Sequence, residues 1–158
     1  MKQVVAEGAK VKGRLRIATW NPDGSLGQEQ IVDNLVVDAG LEALLHHLAE
    51  GSPTPAVLRI NKIALGSGTN APTAADTTLQ TEVYRNNTAS ANVVATVMTV
   101  TGFFSASETN GTYREAGLFI LGTASADTGT LFSRVAINIT KSAIQTMTIE
   151  WTITMTAS

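Results

Sequence analysis

Apolar and polar positions alternate most strictly near the C-terminus. Over Gln145–Thr156, Met147, Ile149, Trp151, Ile153 and Met155 alternate with Thr146, Thr148, Glu150, Thr152, Thr154 and Thr156. A period of two over that length predicts a strand with one apolar face and one threonine face. The same logic predicts a strand over Val11–Trp20, with Leu15 and Ile17 inward and Arg14 and Arg16 outward. Asn21-Pro22-Asp23-Gly24 then supplies turn chemistry, because proline presets φ and glycine accepts a positive φ. Gln28–Val37 returns as the partner, so a hairpin over about residues 11–37 precedes the next element.

That element is a helix over Asp38–Glu50. Leu41, Leu44, Leu45 and Leu48 fall at i, i+3, i+4 and i+7 and predict one stripe facing a core. Asp38 suits the N-cap, and Gly51 with Pro53 suits the stop. Leu58–Gly66 reads as a buried strand and Ser67–Thr78 as a loop. Leu79–Arg85 fits either a helical turn or an edge strand. Ala91–Phe104 predicts one strand bent near Gly102, and Thr112–Leu121 and Thr130–Ile139 predict two more. The expectation is a mainly β chain: a single domain over residues 1–158, an antiparallel β-sandwich of about seven to eight strands with one short α-helix at about 38–50.

Composition sharpens this picture. Threonine occurs 22 times among 158 residues, and only 15% of residues are charged. Threonine is β-branched and tolerates water, so it dresses a strand's solvent face without adding charge. The net charge of -2 argues against nucleic-acid binding, which needs a basic surplus. The absence of cysteine excludes disulfides, thiolate catalysis and cysteine-ligated metals. No apolar run reaches the roughly 18 residues of a spanning helix, and the first residues hold no signal-type apolar block, so no membrane partner is expected.

Candidate chemistry is sparse. Gly66-Ser67-Gly68-Thr69-Asn70-Ala71 matches the dinucleotide pattern G-x-G-x-x-G/A, but Pro72 and a Thr/Ala/Asp stretch follow where a helix should open. A tight strand-exit loop is the simpler reading. His46 and His47 are neighbours on the predicted helix and point about 100° apart, so they do not share one metal from one face. Glu108 and Glu115 flank Asn110-Gly111 and would suit acid/base work only if one were buried. No cofactor, metal or catalytic set is expected, and the chain does not read as an enzyme. Trp20 and Tyr113 are candidate stacking surfaces for a sugar, which makes a carbohydrate-binding module for host-surface glycans the alternative reading and a glycan-processing enzyme a remote one.

One ordered set of short motifs stands apart. Asn34-Leu35-Val36-Val37 leads into Asp38-Ala39-Gly40-Leu41. Ile63-Ala64-Leu65-Gly66-Ser67-Gly68-Thr69, Ala71-Pro72, Asp76-Thr77-Thr78-Leu79 and Glu82-Val83-Tyr84-Arg85 follow. Glu115-Ala116-Gly117-Leu118-Phe119, Gly129-Thr130-Leu131-Phe132-Ser133-Arg134 and Ile149-Glu150-Trp151-Thr152-Ile153 complete it. Over roughly residues 30 to 156 this order resembles a family of small structural proteins of tailed bacteriophages, labelled as tail or fibre proteins. The resemblance implies a virion part with no catalytic motif: a capsid decoration (cement) subunit or a tail fibre or baseplate subunit. It implies a homo-oligomer, a trimer by family analogy, with major capsid or tail proteins as partners and assembly in the bacterial host cytoplasm. Glu82, Arg85, Glu115 and Arg134 sit inside otherwise apolar words, so one of the glutamates is expected to pair with one of the arginines at a sheet end or subunit boundary.

Overall fold

The computed structural model describes residues 8–50 and 58–157. Its elements are β1 (Ala9–Trp20), β2 (Leu26–Val36), α1 (Asp38–Glu50), β3 (Ile60–Gly66), β4 (Glu82–Asn87), β5 (Ser90–Val94), β6 (Val97–Phe104), β7 (Gly111–Ile120), β8 (Thr130–Lys141) and β9 (Thr146–Ala157). The chain is mainly β and antiparallel. Its described strands number nine, and they form one sheet in the order β4-β3-β7-β8-β2-β1-β9-β6-β5. The expected sandwich of seven to eight strands is therefore replaced by a single sheet that curls around its core.

Two features account for the difference. First, β2 belongs to both halves of the sheet. It pairs with β1 from Asn34 to Leu26, and it meets β8 only at Leu35–Arg134 and Val36–Ser133. Beyond those two pairs β2 and β8 diverge, and glutamine side chains span the gap. Gln30 Oε1 accepts the Asn138 N–H at 2.8 Å, and Gln28 Oε1 accepts the Thr140 N–H at 2.9 Å. Backbone donors that a splayed sheet would leave unpaired are thus satisfied. Second, Ala91–Phe104 is not one bent strand. It turns back at Ala95-Thr96, where Ala95 has φ 51°, and gives the hairpin β5–β6 with Val94 opposite Val97.

The two edge strands are consecutive in sequence, and residues 86–89 draw their ends together. Thr88 N–H donates to Asn61 O (3.1 Å), Ala89 N–H to Thr101 O (2.8 Å) and Asn86 Nδ2 to Phe103 O (3.3 Å). The concave side holds the main core. Leu15 and Ile17 of β1, Val100 and Phe104 of β6, and Met147, Ile149, Trp151 and Ile153 of β9 face Ile63, Leu65, Leu118, Val135, Ile137 and Ile139 from the other half. The strict alternation of β9 is what places four large apolar side chains on this one face. Burial of such side chains contributes about 1.5–3 kcal/mol each.

A smaller cluster of Val37, Ala64, Leu79, Phe119 and Leu131 lies on the opposite face of β3, β7 and β8. Residues 115–120 of β7 and 131–135 of β8 are buried without alternation, because both faces of the sheet are covered there. Helix α1 covers the start of β8. Gly40 lies against Phe132, and a Cβ there would sit 2.7 Å from the Phe132 carbonyl oxygen. The expected leucine stripe is narrower than its spacing suggests. Leu44 and Ala43 pack against the core, while Leu45 and Leu48 are 65% and 80% exposed. Asp38 opens the helix with its N–H donated to Ala74 O, and the Val37 carbonyl accepts from Gly40 and Leu41, so Val37 holds the cap position expected of Asp38. The predicted stop at Gly51 and Pro53 lies outside the described residues.

Candidate functional site

The buried charges Glu115 and Arg134 lie on the convex face, where β3, β7 and β8 would otherwise meet solvent. Residues 67–81 leave β3 and lie across this face, with Leu79 buried in the small cluster. Glu115 of β7 points outward beneath them. Its Oε1 accepts the N–H groups of Gly68 (3.0 Å) and Thr81 (2.8 Å). Its Oε2 accepts the Gln80 N–H (3.0 Å) and both Nε (3.0 Å) and Nη2 (2.8 Å) of Arg134. The Glu115 and Arg134 side chains are 1% and 4% exposed. Arg134 reaches further into the loop, donating from Nη1 to Asp76 Oδ2 (2.6 Å) and from Nη2 to Asn70 O (3.2 Å). Asp76 also accepts the Thr73 N–H (2.9 Å). Burial opposes ionisation of Asp76, but the bonds from Thr73 and Arg134 outweigh it and hold the carboxyl below its ordinary range.

This geometry explains the glycine-rich motif. Three N–H groups of the loop converge on one anion, as they would on a phosphate, but the anion is the protein's own Glu115. Gly66 and Gly68 are both required by that approach, because a Cβ on either would collide with the Glu115 side chain. The segment that follows is turns and bends with no helix.

A second pair pins the neighbouring loop. Glu82 and Arg85 form a fork, Nε to Oε1 at 2.5 Å and Nη2 to Oε2 at 2.7 Å, with side chains 2% and 3% exposed. Arg85 stacks over the Phe119 ring with Cζ 4.7 Å from its centroid, and its Nη1 donates to the Thr128 carbonyl at 3.0 Å. Glu82 Oε2 accepts the Asp127 N–H at 3.2 Å. The four charges singled out in the sequence thus form two separate pairs, Glu82 with Arg85 and Glu115 with Arg134.

A third anchor was not singled out in the sequence. Lys141 is buried at the end of β8 and donates to Glu108 O (2.8 Å), Asn110 Oδ1 (2.9 Å) and Ala106 O (3.2 Å), closing the β6–β7 connection. Its burial lowers its pKa, with Glu108 opposing that shift. Glu108 accepts from Ser105 N–H (2.8 Å) and Tyr84 Oη (3.0 Å), which hold its carboxyl below the ordinary range. Glu108 and Glu115 therefore serve different loops and do not face a common cleft.

The remaining candidates are dispersed. Tyr113 is 3% exposed and belongs to the main core, so it presents no ring to a sugar. A bulge between Tyr113 and Glu115 turns it inward. Trp20 ends β1 half-buried, with its indole N–H donated to Thr148 Oγ1 at 2.9 Å. His46 is exposed and His47 half-buried on α1. Among the described residues no group of three or more His, Asp or Glu could hold a metal ion, and no helix is long and apolar enough to cross a membrane. Comparison with family models, with curated proteins and with solved structures returns no match.

Proposed function

We propose that this chain is a bacteriophage virion structural protein that self-associates and docks on the outside of the particle, as a capsid decoration (cement) subunit or a tail fibre or baseplate subunit. The observation that carries this reading is the use of the buried charges. The two buried ion pairs and the buried Lys141 hold connecting loops onto the sheet, and both Glu115 oxygens are filled by protein donors. A subunit present in many copies benefits from loops fixed in one conformation, because a mobile contact surface loses entropy at every docking event. The two halves of the curled sheet face each other across one apolar core. On the outer face of β9, Thr148, Thr152 and Thr154 alternate with the buried side chains, and β1 sets Lys12, Arg14 and Arg16 beside that row, so the face offers both hydroxyl and charged groups for docking.

Cryo-EM reconstruction of the particle that carries this protein tests the placement. Threefold density at capsomer junctions chooses cement. A ring or spike below the portal chooses the tail. A particle with no density for the fold overturns the proposal.

A further inference from the structure

β5 is one lateral edge of the sheet, and it lacks the features that usually blunt an edge. Residues 86–107 contain no charged residue and no proline. Val93 and Val94 are 68% and 76% exposed. The opposite edge, β4, instead carries the Glu82–Arg85 pair that holds residues 127 and 128.

The β5–β6 register fixes which backbone groups are open. A two-residue connection closes on a hydrogen-bonded pair, here Val94 with Val97. Alternation then directs Ser90, Asn92 and Val94 to β6, and turns the N–H and C=O groups of Ala91 and Val93 to the open edge.

We infer that β5 pairs with β5 of a second copy about a twofold axis at Asn92. The inference rests on the self-association proposed above and names its surface. In the antiparallel register that uses all five residues, Ser90 meets Val94, Ala91 meets Val93, and Asn92 meets Asn92. Ala91 and Val93 are the residues with open groups, and they meet each other twice, so the ladder is self-complementary. Charge is the deciding condition. A twofold contact sets every residue near its own like, so any charged side chain close to the axis would repel itself. β5 satisfies that condition over its whole length. The inner-face side chains Ala91 and Val93 also border an apolar groove of about 490 Å3, lined further by Leu44, Met98, Ile153 and Met155. A second copy of β5 extends the wall of that groove and covers Val93.

The test is a charge swap on the full chain, read by mass photometry and analytical ultracentrifugation. Asn92 is exposed, so Asn92→Lys and Asn92→Glu should each melt like the wild type. Wild type should dimerise. Each variant alone should dissociate, with the dimer constant weakened by about tenfold or more. An equimolar mixture of the two should recover the dimer. Wild type that self-associates while both variants behave as wild type overturns the β5 surface and leaves self-association standing. Wild type that stays monomeric at micromolar concentrations overturns both.

Discussion

Glu115 and Arg134 carry the clearest residue-level consequence. Arg134→Ala leaves a buried carboxylate facing three backbone donors without its counter-charge. Loss of one partner of a buried pair costs about 3–5 kcal/mol. The expected outcome is that loss in chemical denaturation, with faster hydrogen exchange confined to residues 67–81. A double replacement by leucine should not recover stability, because the N–H groups of Gly68, Gln80 and Thr81 lose their acceptor. Unchanged stability in either variant would show that the loop is held by its apolar contacts alone. The pH dependence follows from Asp76 and Glu108. Both carboxyls are held below their ordinary range, so the unfolded chain takes up protons first as the pH falls. Their stabilisation is complete above the ordinary carboxylate range, near about pH 4, and disappears as the pH drops through the folded values. The thermal midpoint should fall between about pH 5 and about pH 3, and Asp76→Asn should make that fall shallower. The four paired charges could be read from the sequence because each interrupts an apolar word. Lys141 was also legible in principle, since it continues the inward series Val135, Ile137, Ile139 of β8. Asp76 was not, because its partner Arg134 lies 58 residues away.

Among the elements, α1 shows where periodicity succeeds and where it stops. Its bounds follow from the leucine spacing, but its buried face does not. A leucine stripe reports a helix; which leucines are covered depends on the width of the surface beneath, and β8 covers only the first turns. The close approach of Gly40 to Phe132 decides that docking. Gly40→Ala places a methyl 2.7 Å from a backbone oxygen that cannot rotate away. The helix must lift, and destabilisation of about 1–3 kcal/mol is expected, outweighing the gain in helix propensity of up to about 1 kcal/mol. A melting temperature equal to or above wild type would show that α1 is free to shift. The hairpin β5–β6 was hidden for a different reason. Ala95-Thr96 is not a conventional turn pair, and Ala95 takes a positive φ that sequence rules assign to glycine or asparagine.

On the scale of the whole molecule, the β class was legible and the continuity of the sheet was not. Threonine alternation marks strands, but it cannot report that β2 serves two neighbours or that Gln28 and Gln30 bridge a divergent pair. The same continuity leaves β4 and β5 as the only lateral edges among the described strands, one occupied by an ion pair and one bare. A fold with fixed loops and a bare edge is suited to standing beside other subunits. Quantitative mass spectrometry of purified, nuclease-treated particles tests that claim most directly. A virion structural role predicts this chain as a constant, multi-copy component that copurifies with the capsid or tail. Its absence from intact particles, with recovery only in the soluble lysate, would contradict it.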